Sequence, residues 1–324
     1  MDYLYGLSQT IGVHTIIGLS AYVVLQTGQV TMAQAAFYAV GAYIAAMLTT
    51  LWGQNILVAI FVSGAVAGAL AALAGFPALR FKGLMLVVAT MALGEAVREF
   101  FFNFDYQIAR GDLTVGPAGA EGFRQIRYFY ERGWTTAEVA AFIWMFVIGI
   151  MALLWWMDRS RIGAVLRAVG EDELAAQSVG INLTAVKVSA FALGGAIAGV
   201  GGALYAHYTT HIEHSAFGVL TATFAIAYPI LGGLGSVFGT LLAVIFIQGV
   251  LIYGLPDFGV RFATLLEVQL DVSLGWLKQH ISDIRNLAFG LLILLVMNWR
   301  PRGLIDERVV RVIGGLFAPR SRHA

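Results

Sequence analysis

Apolar positions along this chain come in long blocks, each close to the ~20 residues needed to cross a ~30 Å hydrocarbon core, with short polar stretches between them. The blocks predict eight helical spans, at residues 5–26, 32–52, 56–77, 84–104, 136–157, 188–208, 217–234 and 237–254, and a shorter ninth at 284–299. Backbone polar groups find no partner in lipid, so each block must close its own hydrogen bonds as a helix; interruptions are tolerated only against protein or a polar cavity. Two interruptions stand out, QTGQVTMAQ at 26–34 and YPILGGLGSVFG at 228–239. Broken helices of this kind line translocation paths. Gln29, Thr31 and Gln34 at the first, and Tyr228 and Pro229 at the second, are candidates to line such a path, with local capping of the interrupted helices as the alternative.

One polar segment between spans, residues 159–187, carries clear periodicity of its own. Within it, residues 173–180 predict about two helical turns closed by Gly180, a residue suited to the left-handed position after a helix. Glu171, Asp172 and Glu173 stand at the N-terminal end, where negative charge complements the helix dipole. Small residues such as Ala175 and Ala176 let another surface approach closely, so the segment reads as a docking element; an amphipathic connector lying on the membrane is the plainer alternative.

Composition agrees with a membrane protein. Of 324 residues, 59% are hydrophobic and 12% charged, and the mean hydropathy is +0.79, too apolar for a solvated surface. The formal charge of +1 hides an asymmetry that sets orientation. With the N-terminus outside, the turn at 80–82, the segment 159–187 and the tail from 300 share one side with 2, 4 and 6 basic residues; the opposite loops, 105–135 and 255–283, hold 4 and 2. The richer side is cytoplasmic. The expected organisation is a transmembrane domain over 1–310 with a basic cytoplasmic tail at 311–324. The first block lacks a basic leader and a cleavage site, so it is read as a retained span.

Several chemistries drop out. There are no cysteines, hence no disulfide, thiol nucleophile or cysteine metal site. No phosphate-loop motif precedes Lys82, Lys187 or Lys278, so ATP hydrolysis is not expected in this chain. Gly233, Gly235 and Gly239 mimic a dinucleotide spacing without a strand beside them and are read as a helix break, while Gly194, Gly195, Gly199, Gly201 and Gly202 fit close helix contacts. His207, His211 and His214 would share a face near Glu213 if their helix continued, which would make a metal constellation; otherwise they are loop histidines open to protonation-sensitive contacts. Glu95, Arg98 and Glu99 fall towards the outer end of the fourth span, either as a functional cluster or as a self-neutralising pair.

Six pieces in order, GQVTMAQAAFYAVGAY (28–43), LRFKGLMLVVATMALGEAVR (79–98), GEDELAAQSVGIN (170–182), AGVGGALYAHY (198–208), LGGLGSVFGTLLA (231–243) and WRPRGLI (299–305), resemble the membrane permease subunits of branched-chain amino acid ABC importers, in particular their LivM-like branch. The resemblance implies an all-α polytopic protein of about eight to ten transmembrane helices in a bacterial inner membrane. It implies pairing with a second, homologous permease, two cytoplasmic ATPases that bind ATP and Mg²⁺, and an external substrate-binding protein, with no cofactor in this chain and no nucleic acid. Residues 173–180 would then be the coupling helix seated in an ATPase groove. The loop sequence LTVGPAGAEGF (113–123) departs from the glycine-rich threonine segment usual there. Related permeases carry urea, amides or organic acids, and an ion-coupled transporter or a non-transporting assembly subunit are the readings from other classes.

Overall fold

The computed structural model describes residues 2–254 apart from 79, 111 and 112, together with positions 264, 287, 290, 291 and 295. The ninth span, the loop 255–283 and the tail 311–324 of the sequence reading lie outside the described residues or nearly so. Ten α-helices are described: α1 Asp2–Leu25, α2 Gln34–Thr50, α3 Ile56–Ala78, α4 Leu84–Asn103, α5 Thr136–Arg159, α6 Arg161–Glu171, α7 Glu173–Ser178, α8 Leu183–Thr209, α9 Val219–Gly232 and α10 Val237–Val244, the last continuing as a π-helix over Ile245–Gly254. Each of the eight expected spans coincides with a helix. Five helices, α1, α3, α5, α8 and α10 with its continuation, are long and apolar enough to cross a membrane, and α9 is a shorter apolar helix. Of the other two, α2 has 17 residues, and α4 has 20 but carries Glu95, Arg98 and Glu99. The chain is an all-α, multi-pass membrane protein.

One departure is a small antiparallel hairpin, β1 Ile108–Arg110 with β2 Leu113–Val115, in the loop before α5. Three-residue strands are too short to leave a period in the sequence.

The described residues form two compact units, Met1–Ala227 and Tyr228–Ala324. In the first, α8 packs against α1, α2 and α3. Lipid offers no hydrophobic drive between helices, so contact depends on how closely the backbones fit. The α8 glycines supply that fit: a Cβ on Gly202 would overlap the Tyr38 carbonyl, one on Gly199 would strike Ala67, and one on Gly194 would strike the Ser20 carbonyl. Gly41 on α2 meets the backbone of Gly199 in the same way. Small residues thus seal the centre. Away from it, large apolar side chains face outward, Phe61 and Leu73 on α3 and Ile148 and Trp156 on α5, as surfaces turned to lipid require.

The ends of α5 are anchored. Thr135 and Glu138 form a reciprocal capping box at its start. At its finish the Arg159 guanidinium lies 3.9 Å from the Trp155 ring centroid, an amphipathic pair of the kind found at membrane interfaces.

In the second unit the break falls at 233–236, after Pro229 rather than around it. Proline removes one N–H bond but α9 runs on to Gly232, where the Gly233 N–H bonds the Pro229 carbonyl at 2.9 Å. Ser236 then caps α10 by accepting from the Gly239 N–H at 3.1 Å.

Candidate functional site

The first interruption is a tight turn. Thr27 and Gly28 close on the Val24 and Leu25 carbonyls, and Gly28 has a φ of 73°, which glycine adopts without strain. Thr31 Oγ1 accepts from the Ala33 N–H at 3.2 Å, and the Met32 N–H bonds Thr90 Oγ1 of α4 at 3.0 Å. Ser20 Oγ donates to Gln34 Oε1 at 3.3 Å, tying α2 to α1. Of the three candidates the sequence offered here, Thr31 and Gln34 therefore hold the turn together. Gln29 lines a cavity.

Below this turn sits a carboxylate that the sequence reading placed outside every motif. Tyr22 Oη donates to Asp158 Oδ2 and Gln26 Nε2 to Asp158 Oδ1, both at 2.7 Å, and Arg167 donates to the Asp158 carbonyl at 3.0 Å. Asp158 so joins the end of α1 to the α5–α6 corner. The backbones meet as well: a Cβ on Gly170 would overlap the Gln26 carbonyl, and one on Gly28 would lie 3.2 Å from the Gly170 oxygen. The turn after α1 and the end of α6 are in direct contact.

From that contact the chain enters the segment expected to dock. The sequence suggested one helix there; the structure has two. α6 buries Gly163, Leu166 and Val169, a spacing legible as one apolar face, with Ser160 as its cap. Asp172 separates α6 from α7 and accepts from the Leu174 and Ala175 N–H groups at 2.9 and 3.0 Å. Gly180 follows α7 with a φ of 88°, as its sequence position suggested. Leu174 and Val179 are 79% and 76% exposed, and Glu171, Asp172 and Ala175 are exposed too, whereas Ala176 is buried and packs inward. The sequence reading grouped Ala176 with the candidate docking residues; its side chain is buried.

Glu173 fixes α7 to the rest of the unit. Lys187 Nζ of α8 lies 2.6 Å from Glu173 Oε1, and Lys82 Nζ, in the turn before α4, lies 3.7 Å from Oε2. The Lys187 hydrogen bond holds the Glu173 carboxyl below its ordinary range, against the opposing effect of burial. Neither lysine was linked to Glu173 from sequence, because a contact between residues 82, 173 and 187 leaves no local pattern.

At the far end of α4, Arg98 Nε bonds Glu95 Oε2 at 2.6 Å and the same guanidinium reaches Glu99. The charges pair within their own helix, leaving one negative charge over. Glu95 also borders a narrow crevice with Gly94, Phe217 and Gly218. In the second unit, Tyr228 is fully buried and its Oη accepts from Gln248 Nε2 at 2.7 Å; it and Pro229 shape α9. The three histidines do not converge. Thr210 takes a left-handed φ of 60° and ends the helix, so His207 stays buried against Thr49 Oγ1 at 2.9 Å, His211 meets Glu213 at 3.0 Å, and His214 packs edge-on to Phe102. Among the described residues no group of three acidic, histidine or cysteine side chains is placed to hold a metal.

Known proteins bear on this arrangement. A family model described as "Branched-chain amino acid transport system / permease component" matches residues 3–297. The high-affinity branched-chain amino acid transport system permease protein LivM of Salmonella typhimurium is 28% identical over 318 residues, an alignment covering 91% of this chain and 66% of that protein. LivM of Escherichia coli K12 gives the same figures, and the permease protein LivH of that strain is 24% identical, covering 88% of each chain. The chain therefore spans just under two thirds of the length of the LivM relatives. No solved structure matches it. With a family model covering nearly all of its length, and eight of the expected spans present as helices, the chain belongs to the permease-component family of branched-chain amino acid transport systems.

Proposed function

We propose that this chain is one of two permease subunits of an ATP-driven, binding-protein-dependent importer of branched-chain amino acids in the bacterial cytoplasmic membrane. It is not itself an enzyme: two cytoplasmic ATPase subunits bind ATP and Mg²⁺, and an external binding protein delivers the substrate. The observation that carries the reading is α7, a six-residue helix with Leu174 exposed on it and Val179 exposed just after it, anchored by Glu173 and continuous with a backbone contact onto the turn after α1. Glu171, Asp172, Glu173, Ala175 and Gly180 form the ATPase-facing element, with Ala176 packing under it. Closure of the ATPases moves this element and, through Gly170 and Asp158, the Gln29 turn. Gln29, Glu95 and Arg98 lie along the path; Thr31, Gln34, Tyr228 and Pro229 keep its interrupted helices in shape. A compact zwitterion suits a path with few charges, and it shifts the outward–inward equilibrium only by its differential affinity for the two states.

The test is reconstitution with the partner subunits and radiolabelled leucine. Gly180→Leu, strained at a φ of 88°, should abolish uptake while ATP hydrolysis continues, and Gly180→Asn should retain it. Uptake that proceeds without the ATPases, driven by an ion gradient, would replace this reading with a secondary transporter. Preference for urea, an amide or an organic acid over leucine would keep the importer and change its cargo.

A further inference from the structure

Between α2, α3 and α4 lies a cavity of about 390 Å³, within the size range of small-molecule sites. Val40, Ile44 and Met47 of α2 form its floor, Leu70 of α3 one wall, and Val97 and Phe104 of α4 the other. On both α2 and α4 the lining recurs at helical spacing over two turns, so the cavity is a furrow about 10 Å long that runs along the helices. Stacked rings stiffen it: Tyr43 and Phe101 lie 3.9 Å apart between centroids and within 8° of parallel, and Phe100 stacks on Phe104 at 5.4 Å. Tyr43 and Phe101 are buried, whereas Leu70 and Phe100 at the rim are 41% and 59% exposed, so the furrow opens sideways between them.

No polar atom faces this furrow. The charges of α4 are spent elsewhere, Glu95 bordering the crevice with Phe217 and Gly218 and Arg98 bonded to Glu95. Water and a charged solute would find no hydrogen-bond partner here, so the fitting occupant is apolar. Size narrows the choice. A volume of 390 Å³ along two turns leaves a cross-section of about 40 Å², whereas a helix 10 Å across fills about 80 Å². A hydrocarbon chain fits where a helix of another subunit does not.

We infer that this furrow binds one acyl chain of a membrane phospholipid. Its rim continues into the outward-facing side chains of α3, with Leu73 one turn from Leu70. Phe104 ends it beside exposed Asn103 and Asp105, so the chain enters at headgroup level and runs two turns into the hydrocarbon layer. Lipid tails are as apolar as the side chains, and escape from water supplies no preference; what favours the furrow is contact on three sides, where an open helix surface offers one. Because α4 also carries Glu95 and Arg98, the bound chain helps to seat the helix that bears them. The site is independent of the cargo proposed above.

The test uses the full chain in nanodiscs of phosphatidylethanolamine doped with the same lipid bearing a diazirine in its acyl chain, followed by illumination and peptide mass spectrometry. Labelling within residues 40–47 and 97–104 should saturate as the probe fraction rises and exceed that around Ile148 on the open face of α5. Val97→Phe and Ile44→Phe, which fill the furrow, should bring it down to the Ile148 level while labelling near Ile148 stays unchanged. Leu70→Ala, which widens the furrow, should retain it. Melting profiles identify any variant that has lost its fold, and the wild-type comparison stands without the variants. Labelling that is even over all outward faces, or that persists in both folded filling variants, would overturn the inference. So would loss of the furrow signal in the complete importer with cross-links to the second permease in its place, which would make this face a protein interface.

Discussion

Asp158→Ala removes the acceptor for two buried donors at once. Tyr22 Oη and Gln26 Nε2 each give Asp158 a hydrogen bond of 2.7 Å, and bonds of this charge-assisted kind contribute roughly 1.5–3 kcal/mol apiece. Simple addition gives about 3–6 kcal/mol. Asp158 is half-buried, so water entering the vacated space can satisfy part of the demand, and the lower end, about 3 kcal/mol, is the expected cost. For a domain of this size that corresponds to a fall in melting temperature of about 6–12 °C, read by thermal unfolding of the chain in detergent or nanodiscs. Tyr22→Phe should cost less, since it deletes a donor and leaves no hydroxyl behind. A cycle of Asp158→Asn, Tyr22→Phe and the double variant should give an interaction energy of about 1–3 kcal/mol. An Asp158→Ala variant that melts within about 2 °C of wild type, or a cycle with no coupling, would refute the claim that this carboxylate ties α1 to the α5–α6 corner.

Three further outcomes follow from the geometry. Gly202→Val should prevent accumulation of folded chain in the membrane, because its Cβ would overlap the Tyr38 carbonyl, whereas Gly149→Ala, with open space around it, should accumulate normally on a quantitative blot. Cysteines placed at Ser178 and Ala118, in a chain that has none, should label from opposite sides of the membrane with an impermeant maleimide; labelling from one side would overturn the orientation. Glu173 has a folded-state pKa below its ordinary 4.5, so its contribution to holding α7 is complete above that value and is lost as pH falls through the lower, folded value. Amide exchange in residues 173–178 should therefore be level from pH 8 to about 5, after correction for intrinsic rates, and accelerate below about 4.5; in Glu173→Gln that acid step should be missing.

The spans were legible because lipid leaves the sequence little freedom: an apolar block of sufficient length has to be a helix, and α3 and α4 begin at the residues where the polar stretches end. Gly180 was legible for a similarly local reason, its left-handed backbone being a property of one residue after a short helix. The α6–α7 division was harder, since Asp172 read as part of an acidic run and only its hydrogen bonds reveal it as the cap between two helices. Spacing alone grouped the three histidines; Thr210, an unlikely residue for φ 60°, separates them. Lys82, Asp158 and Lys187 act through partners distant in sequence, and nothing in their neighbourhoods announces it. Among the path candidates, one sequence feature served two ends: a polar residue at a broken helix caps it, as Thr31 does, or faces a cavity, as Gln29 does.

The glycine pair Gly28 and Gly170 has a practical consequence for building hybrid permeases. Neither residue carries a side chain that could give way, and their backbones are already at contact distance. A loop transplanted from a relative into positions 159–187 would therefore have to reproduce this meeting point, or be carried over together with the turn at 26–28. Asp158 and Gln26, 132 residues apart in sequence, impose the same condition through side chains. The unit of exchange is thus two distant stretches of chain taken as one part, and hybrids that respect this seam should insert and assemble where single-loop swaps fail.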